Sequence, residues 1–390
     1  MSHRVPNLNA RLQGFGTTIF TQMSALAAQT GAVNLGQGFP DTDGPAEVLE
    51  AAIAAMRAGH NQYPPMPGVA ELRHAIARHQ KRFYDLDYNA DTEVQVTTGA
   101  TEALAAVMLS LLEVGDEVIT FEPWYDSYGA SISMAGGFKR VVTLRPPHYH
   151  FDIDELARQI TPKTRLLLLN TPHNPTGKVF ALDELEQIAA LCIEHDLLAV
   201  TDEVYEHLVF EGQHVPLATL PGMRDRTIVV SSGGKTFSFT GWKIGWICAR
   251  PDLITAIRTA KQFLTFVSGP AFQMAMAVAL DLEDDYYSRF AADMAAKRDL
   301  LCNGLDAAGF EVFVPQGTYF VNTDIGPLGG TDGVEFCLEL PQRAGVVAIP
   351  TQAFYDNVDE GRSLVRFTFC KRPEVLTEAV ERLATLKPRP

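Results

Sequence analysis

The chain has 390 residues, of which 46% are hydrophobic and 20% charged, a composition typical of a globular enzyme with two or three domains. Its net charge of −15 argues against nucleic acid as a partner, because binding nucleic acid phosphates requires clustered Lys and Arg. No segment has the length and apolarity of a signal peptide or a bilayer-spanning helix, so we expect no membrane association.

The middle of the chain alternates short apolar runs with amphipathic stretches. The apolar runs predict five strands: Glu93–Thr97, Glu117–Phe121, Arg165–Leu169, Leu197–Thr201 and Thr227–Val230. Helices are predicted between them, among others over Thr101–Leu112 and Leu182–Glu194. Strands that alternate with helices indicate an α/β fold with a mostly parallel sheet covered by helices on both faces. Ligands of such sheets bind at the carboxyl ends of the strands.

The C-terminal part has a different pattern. Residues 250–308 are predicted to be helical almost throughout, with a break at Pro270. Further on, strands are predicted at Phe310–Val314, Tyr319–Val321, Val346–Ile349 and Val365–Phe369, with helices at 333–340 and 373–386. We therefore expect an N-terminal arm with part of a small domain (1–44), a large domain (45–285) and a smaller α+β domain (286–390).

Two segments at predicted strand ends could bind parts of a ligand, one a phosphate group and the other a flat ring. Gly99-Ala100-Thr101 follows a strand and opens a helix, whose first N–H groups can bind a phosphate, although any strand-to-helix turn shares this pattern. Glu122–Asp126 follows the next strand and contains Trp124 and Tyr125. One of these rings could stack on a flat ligand, or anchor the core instead.

Asn174 and Asp202 also follow predicted strands. Asn174 lies in a loop held rigid by two prolines and a glycine, where its amide could bind an oxygen anion or the loop could simply end the strand. Asp202 could pair with a protonated ring nitrogen, and a carboxylate beside a cation should have a lowered pKa; a capping role is the alternative. Tyr205 could reach the same ligand or pack in the start of an apolar helix.

Lys235 lies in Ser231-Ser232-Gly233-Gly234-Lys235-Thr236, and Lys243 follows eight residues later. A desolvated lysine loses its proton readily and can form a Schiff base with an aldehyde, while Lys243 and Ser232 could bind a phosphate. The alternative is two solvated lysines near a turn. An aldehyde, a ring nitrogen, a ring hydroxyl, a flat face and a phosphate together are the groups of pyridoxal 5′-phosphate.

Arg366 is a charge within the apolar strand Val365–Phe369. Its guanidinium could bind a substrate carboxylate through two parallel hydrogen bonds. Because strands alternate their faces, Arg366 could instead point outward to solvent.

The cysteines and histidines indicate no metal site or disulfides. The five cysteines are dispersed and form no CxxC pair, as expected of reduced core thiols in a cytoplasmic protein: Cys192, Cys248, Cys302, Cys337 and Cys370. His195, His207 and His214 form a loose group without the spacing of metal ligands, and there is no HExxH.

In combination, the motifs resemble fold-type I, class I and II aminotransferases. The matching stretches run from residue 34 to residue 367 in the family's order: Asn34–Asp41, Asn61–Tyr63, Asn174–Gly177, Asp202–Tyr205, Ser232–Lys235, Gly241–Lys243 and Val365–Phe367. The chain is most similar to the branch that contains N-succinyldiaminopimelate, kynurenine/glutamine and methionine aminotransferases. The resemblance implies pyridoxal 5′-phosphate as cofactor and ping-pong transfer of an amino group between an amino acid and a 2-oxo acid.

The resemblance also implies residue roles. Lys235 matches the imine-forming lysine, Asp202 the partner of the ring nitrogen, and Asn174 and Tyr205 the partners of the ring hydroxyl. The remaining matches are Ala100, Thr101, Ser232 and Lys243 at the phosphate, Tyr125 stacked on the ring, Gly38 and Arg366 at the substrate carboxylate, and Tyr63, which reaches the neighbouring subunit's phosphate. Tyr63 thereby implies a homodimer with shared active sites.

Substrate preference has several candidates. Thr101 and Phe20, a residue near the substrate, replace a tyrosine and a tryptophan that are frequent in kynurenine-type relatives. Actinobacterial N-succinyldiaminopimelate aminotransferases are resembled most in four runs, so this specificity ranks first, ahead of kynurenine, glutamine and methionine: Gly36–Gly44, Asn61–Pro65, Glu203–Phe210 and Phe367–Arg372. A C–S β-lyase using the same cofactor and a non-catalytic binding protein of the same fold are the remaining alternatives.

Overall fold

A computed structural model describes residues 5, 7–16 and 18–387. The other residues, which belong to the predicted first and third segments, lie outside the described part: 1–4, 6, 17 and 388–390. Among the described residues no helix is both long enough and apolar enough to cross a bilayer. All five cysteines are buried and unpaired.

The centre of the fold is a seven-stranded sheet in the order β2-β8-β7-β6-β5-β3-β4, parallel except for β8. Its strands are β2 (Val94–Thr97), β3 (Glu117–Glu122), β4 (Phe138–Thr143), β5 (Thr164–Asn170), β6 (Leu198–Asp202), β7 (Thr227–Ser232) and β8 (Gly245–Cys248). The five predicted strands are confirmed with small shifts of their ends, and the mostly parallel arrangement is confirmed. The sequence analysis missed β4 and β8.

The strand register brings the predicted ligand-binding segments to one rim. Asn170 at the end of β5 pairs with Asp202 at the end of β6. Ser232 at the end of β7 and Thr97 at the end of β2 both pair with Gly245 of the antiparallel β8. The loops after these strands therefore start side by side, as expected for a parallel sheet.

Helices cover the sheet, and the apolar spacing of their sequences explains their packing. In α4, for example, Ala103, Val107 and Leu104 are buried on one face. The helices of this part are α2 (Ala46–Arg57), α3 (Ala70–Tyr84), α4 (Gly99–Leu111), α5 (Ser127–Ala135), α6 (Ile153–Gln159), α7 (Leu182–Glu194), α8 (Gly233–Thr236), α9 (Pro251–Lys261) and α10 (Pro270–Leu280). Pro270 is the first residue of α10, where a proline lacking its N–H is tolerated.

The C-terminal part contains a four-stranded antiparallel sheet in the order β12-β13-β10-β9 and a parallel pair β1-β11. Its elements are α1 (Ile19–Thr30), β1 (Val33–Asn34), α11 (Asp284–Ala307), β9 (Glu311–Phe313), β10 (Phe320–Asp324), α12 (Gly333–Ala344), β11 (Val346–Val347), β12 (Ile349–Pro350), β13 (Leu364–Thr368) and α13 (Pro373–Leu383). The predicted single strand Val346–Ile349 is wrong: its two halves pair with different strands, β11 with β1 and β12 with β13, so the chain changes sheets at Ala348.

One apolar core joins the N-terminal arm to the C-terminal part. It combines Met23 and Ala27 of α1 with Leu301 of α11 and residues of α12, α13 and the small sheets, and it includes Val204 and Tyr205 after β6. The small sheets are thus packed against the rim of the large sheet. The predicted boundary at 285/286 falls in the first turn of α11, and the division into three segments stays a prediction.

Candidate active site

A cavity of about 290 Å³ lies at this rim, lined by both parts of the chain. It is lined by every predicted site residue except one: Phe20, Gly38, Ala100, Thr101, Tyr125, Asn174, Asp202, Tyr205, Ser232, Lys235, Lys243 and Arg366. The exception is Tyr63, which is 84% exposed and borders a separate cavity formed with residues 61–64 and 267–270.

Lys235 lies in the short helix α8, directly after β7. The backbone here packs closely, since a methyl group on Gly233 would come within 2.1 Å of the Met276 sulfur. The Lys235 side chain is only partly exposed, and its Nζ lies 5.9 Å from the Tyr205 ring and 5.6 Å from the Tyr319 ring. Desolvation among these groups lowers the pKa of Lys235 to about 8. The alternative of a solvated surface lysine is therefore wrong for Lys235.

Asp202 ends β6 and is 4% exposed. The Tyr128 hydroxyl donates to Asp202 Oδ2 at 2.7 Å, and the Val204 N–H lies 3.4 Å from Oδ1. Burial raises the pKa of Asp202 to about 6, because desolvation outweighs the opposing effects of the two hydrogen bonds and of the Lys235 charge. Lys235 is only a minor influence on this pKa, and the expected lowering, which requires a cation beside Asp202, stays a prediction.

Asn170 fastens the Asn174 loop to the end of β6. Its Oδ1 accepts from the Asn174 N–H at 2.6 Å, and its Nδ2 donates to the Asp202 carbonyl at 2.8 Å. Tyr205 follows in a run of turns rather than in the predicted helix start, and packs edge-on against Tyr319 at 5.2 Å between ring centroids. Two polar side chains, Asn174 and Tyr205, are thereby fixed beside Asp202 in the cavity wall.

The N-terminus of α4 lies at one end of the cavity and is the candidate anion-binding segment. Gly245 lies so close that a methyl group on it would be 2.7 Å from the Gly99 carbonyl carbon and 2.9 Å from the Ala100 nitrogen. The Lys243 side chain crosses the same helix end, with Cε 3.2 Å and Nζ 3.4 Å from where a Gly99 methyl would be. The first N–H groups of α4, which no helix can pair internally, therefore lie near the Lys243 side chain, and Ser232 lines the same cavity.

The sequence left open whether Trp124 and Tyr125 stack on a ligand or anchor the core, and the structure places one in each position. Trp124 is 6% exposed in the core, and Lys139 Nζ lies 3.2 Å from its ring centroid. Tyr125 lines the cavity and packs edge-on against Tyr128 at 5.7 Å. Tyr125 is thus the residue available to stack on a flat ligand.

Arg366 points into the cavity and is 2% exposed, so the outward alternative is wrong. Its Nη1 donates to Asn174 Oδ1 and its Nη2 to the Gly36 carbonyl, both at 3.1 Å. The guanidinium carbon lies 4.0 Å from the Phe320 ring and 5.2 Å from each of the rings of Phe20 and Phe354. Burial lowers the pKa of Arg366 to about 10.

Gly38 is required by the same aromatic wall. A methyl group on Gly38 would lie 2.3 Å from Cζ and 2.4 Å from Cε1 of Phe320, and the Gly38 carbonyl accepts from the Tyr319 hydroxyl at 2.6 Å. Phe20 stacks on Phe354 at 5.7 Å. The segments around residues 20, 38 and 354 therefore close the Arg366 side of the cavity.

The sequence analysis missed several residues that support this site: Tyr128, Asn170, Tyr319, Phe320 and Phe354. Asn170 was expected at the rim of the sheet as the start of the Asn174 loop, and Tyr319 and Phe320 lie in the predicted strand Tyr319–Val321, but none of the three was assigned a role. Tyr128 lies in the first turn of α5 and Phe354 ends a short 3-10 helix, both without a distinguishing sequence pattern, and only their contacts with Asp202 and Arg366 reveal their roles.

The donor set of the cavity fits pyridoxal 5′-phosphate. A partly buried amine with a lowered pKa, a buried carboxylate and a glycine-lined helix N-terminus with a nearby lysine lie in one cavity. Arg366 Nε is buried without a hydrogen-bond partner among the described residues, as a guanidinium that binds a further anion requires.

Comparisons with known proteins agree with this geometry. Residues 30–383 match the family model for aminotransferases of class I and II. The chain is 50% identical to a Mycobacterium tuberculosis protein named probable N-succinyldiaminopimelate aminotransferase, over 98% of this chain and 99% of that one. It is 42% identical to a methionine aminotransferase of Escherichia coli over 97% and 98% of the two chains, and 38% identical to a kynurenine–oxoglutarate transaminase of Dictyostelium discoideum over 96% and 95%.

Solved structures show the same similarity. The structure of N-succinyldiaminopimelate aminotransferase from M. tuberculosis superimposes with a TM-score of 0.95, covering 97% of this chain and 99% of that one, at 50% identity. A methionine aminotransferase structure from E. coli gives 0.94 at 41% identity, with 97% and 99% coverage. This chain therefore belongs to the class I and II aminotransferases of fold type I, enzymes that use pyridoxal 5′-phosphate to transfer an amino group from an amino acid to a 2-oxo acid.

Proposed function

We propose that this aminotransferase acts on N-succinyldiaminopimelate in lysine biosynthesis, with 2-oxoglutarate as the amino acceptor. The observation that carries this proposal is the 50% identity over 98% of the chain with the M. tuberculosis relative of that name. The relatives named for methionine and kynurenine are less similar, at 42% and 38% identity, and provide the alternative amino donors.

The residues that line the cavity suggest how the cofactor is held. The Ala100 and Thr101 amides, Ser232 and Lys243 would bind its phosphate, Asn174 and Tyr205 its ring hydroxyl, Asp202 its ring nitrogen, Lys235 its aldehyde carbon, and Tyr125 would stack on its ring. When bound, pyridoxal 5′-phosphate supplies a carbonyl carbon that links covalently to amines and a ring that accepts an electron pair.

Lys235 is the proposed acid and base. Its pKa of about 8 leaves a fraction of its amine neutral near neutral pH, and only the neutral amine can remove the α-proton of the substrate. Asp202 would keep a proton on the ring nitrogen, and the Tyr128 hydroxyl holds its carboxylate in place at 2.7 Å. Loss of the Lys235 amine should therefore abolish turnover, whereas loss of Asp202 should impair chemistry more than cofactor binding.

Arg366 is the proposed site of the substrate α-carboxylate. Its guanidinium is buried among Phe20, Phe320 and Phe354, and its Nε has no partner among the residues described. An ion pair formed in such a low-dielectric wall is stronger than one in water. The close approach at Gly38 keeps the backbone near this anion.

Half-reaction spectroscopy tests the substrate proposal. The holoenzyme is mixed with single amino donors, and loss of the cofactor's aldehyde absorbance is followed as a function of donor concentration. We expect the maximal half-reaction rate, divided by the donor concentration that gives half of it, to be highest for N-succinyldiaminopimelate. A higher value for methionine or kynurenine would identify that amino acid as the donor instead. Release of pyruvate and ammonia from a cysteine conjugate without any oxo acid would identify a β-lyase. No response to any donor would favour the non-catalytic alternative.

We also propose that the enzyme is a homodimer with shared active sites. Tyr63, which is 84% exposed, lines the second cavity together with residues 267–270. Phe263 lies a few residues before that segment and is 82% exposed. Covering such large apolar side chains favours association with a second copy. Sedimentation equilibrium tests whether the protein is a dimer. A weaker affinity of Tyr63→Phe for pyridoxal 5′-phosphate would support active sites shared between the two subunits.

Two broader expectations complete the proposal. Five buried, unpaired cysteines fit a reducing compartment, so we propose a cytoplasmic location, which cell fractionation tests.

We propose the division into 1–44, 45–285 and 286–390 because the arm and the C-terminal segment share one core. Limited proteolysis of the holoenzyme, with cleavage near residue 285 preceding other cuts, would support it.

A further inference from the structure

Three side chains with metal-binding atoms meet outside the cavity. They are His79 of α3 and Glu206 and His207 of the segment after β6, named here the His79 cluster. One ligand atom from each lies within 4.8 Å of the others, and His79 Nε2 is 2.7 Å from His207 Nε2. The sequence grouped His207 with His195 and His214, but folding brings a histidine 128 residues away to its side.

Two polar atoms of the His79 cluster are buried without a hydrogen-bond partner among the described residues. These atoms are His79 Nδ1 and Glu206 Oε2, on side chains that are 2% and 6% exposed. The second Glu206 oxygen accepts from the Ser231 hydroxyl at 2.5 Å. Buried polar atoms normally have a partner, so the unpaired Glu206 oxygen points to a missing ligand, whereas His79 Nδ1 faces away from Nε2 and takes no part in the proposed site.

The charge around the cluster calls for a cation. Glu206 forms no ion pair within the described part of the chain, and the neighbouring Glu203 is completely buried, with His214 Nε2 at 2.9 Å as its ion-pair partner. Glu203 already has His214 as its partner, whereas an ionised Glu206 is costly to bury unless positive charge compensates it. A dication would provide that charge.

Aromatic rings enclose the two imidazoles. The Phe83 ring lies 4.8 Å from His79 and 4.7 Å from His207, and the Tyr287 ring lies 4.4 Å from His207. These rings hold the two imidazoles side by side, in an arrangement that can supply two nitrogen ligands to one ion.

We propose that His79, Glu206 and His207 bind one divalent transition-metal ion, for which Zn²⁺ is the best match. Two imidazole nitrogens and one carboxylate oxygen form a common zinc ligand set, and a water molecule would complete the tetrahedron. Two nitrogens on one zinc are about 3.3 Å apart, so the rings have to separate by about half an ångström on binding. The ion would fasten α3 to the segment that carries Tyr205, as a structural site outside the reaction.

The test uses tag-free holoenzyme, first treated with a chelating resin and then given equimolar Zn²⁺ and gel-filtered. Elemental mass spectrometry should find about one zinc per chain, and X-ray absorption at the zinc edge should show nitrogen and oxygen neighbours at about 2.0 Å without sulfur. We expect His79→Gln and His207→Gln to lower the bound zinc at least about tenfold. The exposed His148 is the matched control, and His148→Gln should bind as much zinc as the wild type.

Wild-type protein decides the matter even if a variant misfolds. Absence of zinc after gel filtration would overturn the proposal and assign the 2.7 Å contact to a hydrogen bond between two imidazoles. Full zinc content in the doubly substituted His79→Gln/His207→Gln protein would also overturn it, because the ion would then lie elsewhere, for example at the cofactor phosphate.

Discussion

The Tyr128 hydroxyl donates a hydrogen bond of 2.7 Å to Asp202 Oδ2, and both side chains are buried. This contact links the first turn of α5 to the end of β6. Burial raises the pKa of Asp202 to about 6, and the Tyr128 hydrogen bond is the largest influence that opposes this rise. Tyr128 therefore favours the ionised carboxylate that Asp202 needs in its proposed role as partner of the cofactor's ring nitrogen.

Replacing Tyr128 by Phe should weaken catalysis through Asp202. A hydrogen bond to a charged group contributes about 1.5–3 kcal/mol, so we expect kcat to fall about tenfold or more, with a higher pKa in the acid limb of the kcat profile. Stopped-flow half-reactions across pH measure both effects. The control is Tyr149→Phe, a buried tyrosine that accepts from Asn322 outside the cavity lining. Equal effects of the two substitutions would show that Tyr128 is only structural.

Replacing Arg366 by Lys should weaken substrate binding although the charge is retained. Lysine cannot form two parallel hydrogen bonds with a carboxylate, and truncating a buried charge pair costs about 2–5 kcal/mol. We therefore expect kcat/KM for amino acids to fall about 30-fold or more, while pyridoxal phosphate affinity stays unchanged. Arg298→Lys is the control, since Arg298 is buried at Glu211 and outside the cavity. A wild-type kcat/KM for Arg366→Lys would place the carboxylate elsewhere.

Inserting a methyl group at Gly38 should disturb the Arg366 wall. The new carbon would lie 2.3 Å from Phe320 Cζ, so the Phe320 ring that packs on Arg366 has to move. Overpacking of this kind costs about 1–3 kcal/mol, so Gly38→Ala should lower the melting temperature and raise KM. Gly16→Ala is the matched control, because nothing lies within 4 Å of its new methyl. An unchanged KM in Gly38→Ala would contradict the predicted closeness to the substrate.

The lowered pKa of Lys235 predicts a pH dependence of stability. The folded chain releases this proton near pH 8, and the unfolded chain near the ordinary lysine value of 10.5. Between these values the unfolded state binds more protons, so the contribution of Lys235 to the free energy of unfolding rises with pH. Cofactor-free wild type should therefore gain melting temperature relative to Lys235→Met from about pH 8 to 10.5. Parallel curves for the two proteins would show that the pKa of Lys235 is not lowered.

The strands of the large sheet were predictable because buried strands leave short apolar runs bounded by polar residues. Leu197–Thr201 and Arg165–Leu169 are examples, and each appears in the structure with its ends moved by a residue or so. The edge strand Phe138–Thr143 was missed because it is polar and partly exposed. The split at Ala348 was missed because no local pattern records a change of pairing partner.

By itself the sequence determined the α/β architecture, the order of the ligand-binding loops and the identity of the chemical groups, because each follows from local pattern or from ordered motifs. Only the tertiary structure decided the state of those groups. It buried Arg366 against three rings, gave Asp202 the Tyr128 hydroxyl, and set His79 beside His207. Tyr128 and Asp202 are 74 positions apart and His79 and His207 are 128 positions apart, and pKa values depend on such neighbours rather than on adjacent sequence.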